Sequence, residues 1–170
     1  IAMLSPSILQ GRLLVQAGEV LHREGQTALS GTYLNRALTI YQELGVRRYQ
    51  GIIRITLAAQ DSIQGRIESA FTRCHEALAI HTELGHRKEI ATALSLIGLL
   101  HHEQGEFSDA LDHLHRALEI VREVGDRRSE GRPLGNLAVI HQVQGEYPKA
   151  LDLHARALII HREVGDRRFE

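Results

Sequence analysis

Apolar residues recur three and four positions apart along this chain, and a glycine cuts the pattern every twenty residues: Gly25, Gly45, Gly65, Gly85, Gly105, Gly125, Gly145 and Gly165. Stripes at that spacing predict amphipathic helices. Glycine takes the left-handed conformation past a helix end without steric cost, so the chain reads as helix, stop, helix, stop. Eight helices are expected, over roughly 6–24, 27–44, 47–64, 67–84, 87–104, 107–124, 128–144 and 148–164. The glycines form two alternating sets. Gly45, Gly85, Gly125 and Gly165 follow Glu-Leu or Glu-Val, whereas Gly25, Gly65, Gly105 and Gly145 follow a polar residue. The true unit is therefore about forty residues, and self-similarity at that period marks a stacked array.

Superposing the units shows what each position does. Ala37, Ala77, Ala117 and Ala157 coincide, each followed by leucine and then, two residues on, by Ile40, Ile80, Ile120 or Ile160. Seven residues earlier stand Ser30, Ala70, Ala110 and Ala150, and the other helix carries Gly18, Ala58, Gly98 and Ala138 at one shared position. Small residues on an apolar stripe let two helices approach closely, so Ala110 and Ala117 are expected in a packed face. Ser5-Pro6 reads as a cap with proline at the first helical position, Pro148 plays the same part later, and Asp126 and Asp166 are placed to cap the helices after their glycines. Pro133, among Gly131, Arg132 and Gly135, removes a donor from its helix. That helix is expected either to start late, near Ser129, or to bend. No Gly/Ser/Pro-rich linker appears, so one domain is expected over 1–170, with repeats at about 5–44, 45–84, 85–124 and 125–164 and a stub at 165–170.

Composition excludes several functions. The chain is 43% hydrophobic and 24% charged, enough for a sizeable core, and its net charge of −1 offers no basic excess for nucleic acid. No apolar run reaches membrane-span length, so no membrane partner is expected. The single cysteine, Cys74, falls on a core-type position and reads as an inert buried thiol of a reducing cytoplasm. Eleven histidines raise the question of metal. His101 and His141 share one repeat position, His81 and His161 another, and His75 and His115 a third, as inheritance of a helix face produces. Without a His-Glu-x-x-His pair or a cysteine cluster, neither metal nor other cofactor is expected. Nor is there a nucleophile elbow, phosphate loop or paired carboxylate to indicate an enzyme.

Asn136-Leu137-Ala138, His141, Gly145-Glu146-Tyr147, Ala150 and Ala157-Leu158 resemble the tetratricopeptide repeat, here in a forty-residue variety similar to arrays in bacterial signalling ATPases, transcriptional regulators and polarity scaffolds. The resemblance implies an all-α, right-handed α-solenoid of four helix-turn-helix repeats, eight antiparallel helices in all. It also implies that the first helix of each repeat lines a concave groove. By repeat position that lining is Arg12, Val15, Glu19 and His22 in the first unit, and Ile52, Ile55, Ala59 and Ile63 in the second. The third supplies Thr92, Ser95, Leu99 and His102, and the fourth Arg132, Asn136, Val139 and Val143. An apolar strip with polar flanks suits a peptide or an amphipathic helix, though Ile55, Ala59 and Leu99 could equally be consumed by contacts between neighbouring first helices. The second unit departs from the family pattern at Arg54 and Asp61, charges at apolar positions that could pair across two turns or mark a helix rotated outward.

The expected function is a protein-interaction scaffold, the sensing or scaffolding segment of a larger bacterial signalling protein in the cytoplasm. The alternative is a regulatory or substrate-recruiting array of an enzyme whose catalytic domain lies elsewhere. The last helix keeps Leu151, Leu158, Ile159 and Ile160 in mid-array fashion, without a polar cap. That makes self-association through the C-terminal end a further expectation.

Overall fold

The computed structural model describes residues 7–163 and 165. Eight α-helices account for them: α1 (Ile8–Arg23), α2 (Thr27–Glu43), α3 (Arg47–Ile63), α4 (Ile67–Glu83), α5 (Arg87–Glu103), α6 (Phe107–Glu123), α7 (Arg127–Val143) and α8 (Tyr147–Glu163). Among the described residues there is no strand. Each glycine of the twenty-residue ruler has positive φ, from 68° to 78°. Around them the orphan carbonyls of the helix end are satisfied by a repeated pair of bonds. After α1, for example, Gly25 N–H donates to the His22 carbonyl at 3.0 Å and Gln26 N–H to the Leu21 carbonyl at 2.8 Å. The same two-bond closure recurs at Gly65 and Arg66, Gly105 and Glu106, and Gly145 and Glu146. Any residue other than glycine would be strained there, which is why the ruler is so regular.

The helices form two compact units, Ile1–Leu84 and Gly85–Glu170, each of two repeats. In the first, Leu34, Ala37, Leu38 and Tyr41 of α2 pack with Ile53 and Leu57 of α3, and Leu14, Val15, Val46 and Tyr49 close over them. Tyr49 stacks on Tyr41 with ring centroids 4.8 Å apart. In the second, Leu94, Ile97 and Leu100 of α5, Leu114, Ala117 and Leu118 of α6, and Leu134, Leu137 and Ile140 of α7 are buried. Each large aliphatic side chain so buried contributes about 1.5–3 kcal/mol. The alanines expected in packed faces, Ala110 and Ala117, are fully buried. On α8, Ile160 is buried and Leu158 half-buried, while Leu151 and Ile159 are exposed.

A second use of glycine lies inside the helices. In three of the four repeats a large side chain near the end of the second helix rests on a glycine near the start of the first helix. Tyr41 lies over Gly11, His81 over Gly51 and His161 over Gly131, and a Cβ at those glycines would come within 2.4–2.8 Å of the ring. Where the large residue shrinks to Val121, the small one is Ala91. Each repeat thus matches the volume of one helix to that of its partner.

Three local expectations are corrected. The described cap of α1 is Ser7, whose hydroxyl accepts from Gln10 N–H at 3.1 Å, and Ser5-Pro6 lies outside the described residues. Pro148 is the second residue of α8, not the first; Asp166 also lies outside the described residues. The late start proposed for α7 does not occur: the helix begins at Arg127, because the Asp126 carboxylate accepts from Ser129 N–H at 3.3 Å and fixes its first turn. Arg54 and Asp61 do not pair with each other. The largely buried Arg54 reaches the half-exposed Glu76 of α4, Nε to Oε2 at 2.7 Å. Asp61 is buried and accepts from Ser69 Oγ at 2.6 Å, Arg73 Nε at 2.9 Å and Arg66 Nε at 3.0 Å. Burial pushes the Asp61 carboxyl up, but the bonds from Ser69, Arg66 and Arg73 outweigh it and hold it below its ordinary value.

Candidate functional site

The first helix of each repeat has one face turned into its unit and one left uncovered. In the first unit, Arg12, Glu19 and His22 of α1 are exposed, and Ile52, Ile55 and Ala59 of α3 are half-buried. Ile63 is 73% exposed. Val15 is taken up by packing against the core of α2 and α3.

The second unit holds a cleft of about 830 Å³ between α5, α6, α7 and α8. Local sequence explains the opening. Gly135 leaves open space on α7, where a Cβ would meet nothing within 4 Å. Ala91, Thr92 and Ser95 of α5 form one wall, and His154, Leu158 and His161 of α8 the other. Arg128 and Arg132, four residues apart on α7, both reach the cleft. Neither forms an ion pair among the described residues. Like charges at that spacing repel by a few tenths of a kcal/mol on a helix, so an anion between them is favoured. A smaller recess of about 60 Å³ lies beside it, lined by Leu99, His102, Asn136 and Val139 with Leu114 and Ile140 beneath.

Of the groove residues expected from sequence, Thr92, Ser95, Arg132, Asn136 and Val139 border the cleft. Leu99 and His102 border the recess, and Val143 is exposed but touches neither. Ser95, in the α5 wall, is itself buried. Position counting missed Arg128, Ser129 and the α8 wall, because it confined the lining to one stripe of the first helices. The signal was present in the Gly131-Arg132-Pro133-Leu134-Gly135 run, which lowers helix propensity and also empties a surface.

Cys74 is buried and burial pushes its thiol up to about 12, so it is inert as expected. His81 and His161 rest over Gly51 and Gly131. His101 Nδ1 and His141 Nδ1 lie 2.6 Å and 2.5 Å from Glu106 and Glu146. No described helix is long and apolar enough to cross a membrane.

Comparison with known proteins places this geometry. A search of curated proteins finds no match. Among solved structures, a Rap protein complexed with competence and sporulation factor aligns with a TM-score of 0.86 at 23% identity, over 95% of this chain and 45% of that one. Aspartyl phosphate phosphatase F from Bacillus subtilis aligns at 0.84 and 20% identity, over 95% of this chain and 43% of that one. BtubC from P. vanneervenii aligns at 0.78 and 21%, over 97% and 68%. The chain thus spans under half the length of the first and second of these, and the likeness establishes an all-α repeat solenoid. Tetratricopeptide repeat models match residues 49–123 and 134–164, together more than half of the sequence. With eight helices in forty-residue pairs closed by left-handed glycines, the chain belongs to the tetratricopeptide repeat family, whose members are protein-interaction scaffolds.

Proposed function

We propose that the chain binds a peptide or helix of a protein partner in the cleft of the second unit, against its first helices α5 and α7. It would do so without catalysis of its own, as the sensing or scaffolding segment of a larger bacterial signalling protein in the cytoplasm. The observation that carries this is the pairing of an open cleft with two arginines that have no acidic partner among the described residues. An acidic side chain or carboxylate of the partner fits between Arg128 and Arg132, and an apolar side chain fits against Pro133, Val139 and Leu158. A solved structure of similar fold is complexed with competence and sporulation factor, which supports a partner-binding role for this architecture.

Peptides selected from a random displayed library on the immobilised chain provide the test. The selected sequences are expected to carry an acidic residue, and Arg132→Glu to weaken their binding by roughly tenfold or more, equivalent to about 1.4 kcal/mol. Glu119→Lys, on the exposed face of α6, serves as control. Unchanged affinity in both Arg132→Glu and Val139→Asp would remove the cleft from the account.

A further inference from the structure

Three corners, each where a first helix turns into its second helix, share one plan but are neutralised differently. In repeat two, the Asp61 carboxylate is met by Arg66, Arg73 and Ser69. In repeat four, Glu146 faces His141 Nδ1 and takes Lys149 Nζ at 3.0 Å. Repeat three places Asp109 where repeat four has Lys149 and repeat two has Ser69. Glu106 Oε2 lies 2.6 Å from His101 Nδ1, and neither Glu106 nor Asp109 is paired with a lysine or arginine among the described residues. One donor atom each from His101, Glu106 and Asp109 lie within 4.8 Å of one another. Behind them His113 stacks on His101, with rings 5.3 Å apart and 4° from parallel, at the position of Leu153 in repeat four.

We propose that this corner is a binding site for a divalent transition-metal ion of the zinc class, ligated by His101 Nδ1 and the carboxylates of Glu106 and Asp109, with water completing the shell. An imidazole nitrogen with two carboxylates is a donor set that zinc accepts. Ligand atoms about 2.1 Å from one tetrahedral ion stand about 3.4 Å apart. The His101–Glu106 pair must therefore open slightly and the widest pair close, which the exposed carboxylates can do by rotation. The stacked His113 ring fixes the plane of His101, the task of an outer-shell residue. The charge argument is independent of the distances: the other two corners carry a fixed cation against their carboxylate, and this one carries a second carboxylate instead. A motif search along one helix misses the set because its donors come from the end of α5, the turn and the start of α6.

Repeat four supplies the control. Asp109→Lys rebuilds the repeat-three corner as a copy of the repeat-four corner, on an exposed residue, so the variant folds. Lys149→Asp does the reverse. Calorimetric titration of the whole chain with zinc chloride is expected to show one saturable site in the parent. Asp109→Lys should weaken that site by roughly tenfold or more, with an unchanged circular dichroism spectrum. Lys149→Asp should raise the stoichiometry from one to two. Absence of saturable binding in the parent, or binding that survives both Asp109→Lys and His101→Gln, overturns the site. A Lys149→Asp chain that stays at the parent stoichiometry overturns the claim that the missing cation creates it.

Discussion

In the first unit the corner between α3 and α4 is closed by a buried aspartate under two arginines, whereas the second unit closes the same corner twice with a histidine and a surface glutamate. The backbone is the same in both: Arg66, Glu106 and Glu146 donate their N–H to the carbonyls of Asp61, His101 and His141 at 2.8, 2.9 and 2.8 Å. The turn is therefore set by the glycine and its two hydrogen bonds, and the side chains above it are free to do other things. In the first unit they hold α4 in place through a buried charge. In the second they stay near solvent, and there the cleft and the unneutralised carboxylates are found.

The comparison breaks most visibly at Asp61. Asp61→Ala removes the acceptor of bonds from Ser69, Arg66 and Arg73 and leaves the partly buried Arg73 without its carboxylate, so urea denaturation is expected to show a loss of about 2–4 kcal/mol. His141→Gln, at the equivalent position of the fourth repeat, should cost clearly less. Equal losses would mean that the two corners carry the same load. The same contrast appears in acid. Because the folded Asp61 is held below its ordinary value, its stabilisation is complete above about pH 4 and is lost as pH falls through the depressed folded value. The stability gap between the parent and Asp61→Asn should therefore narrow below pH 4, and a gap constant down to pH 2 would contradict the ion-pair account.

Next in size are the volume matches. Gly51→Ala pushes a methyl group into the His81 ring and should cost about 1–3 kcal/mol. Adding His81→Val reproduces the Ala91–Val121 pair of the second unit and should recover most of that loss. A double variant no better than the single one would show that the match is accidental. Ala117→Leu, on a face with no free volume, is expected to cost a similar amount.

The smallest effects belong to the surface clasps. Arg47–Glu83, Arg87–Glu123 and Arg127–Glu163 tie the start of a first helix to the end of its second helix in three repeats, and all are about half exposed. Arg87→Ala should change the unfolding free energy by less than about 1 kcal/mol and less still in high salt. A larger, salt-independent loss would give these clasps a structural weight that their exposure argues against.

Helix number, helix order and most boundaries were legible in the sequence because a left-handed turn every twenty residues admits only glycine. The interior glycines Gly11, Gly51 and Gly131 were not, because their reason is a ring thirty residues away that no local pattern displays. Arg54 and Asp61 looked like a possible pair because spacing along one helix was the only geometry available, and their partners proved to lie on α4. Pro133 suggested either a late helix start or a bend, and of these the late start is overturned because the Asp126 cap fixes the helix at Arg127. Repeat position named Val15 and Ser95 for the groove, but Val15 packs against the core and Ser95 is buried, which spacing along one helix does not reveal. The cleft required α8, whose wall the repeat pattern does not assign to a groove.

The central claim is that the second unit holds the partner, and amide chemical-shift mapping with a library-selected peptide tests it directly. Shifts are expected at Thr92, Ser95, Arg128, Arg132, Asn136 and Val139, around the cleft, with α1 and α2 unmoved. Shifts confined to the exposed faces of α2, α4 and α6, with Arg128 and Arg132 silent, would contradict it.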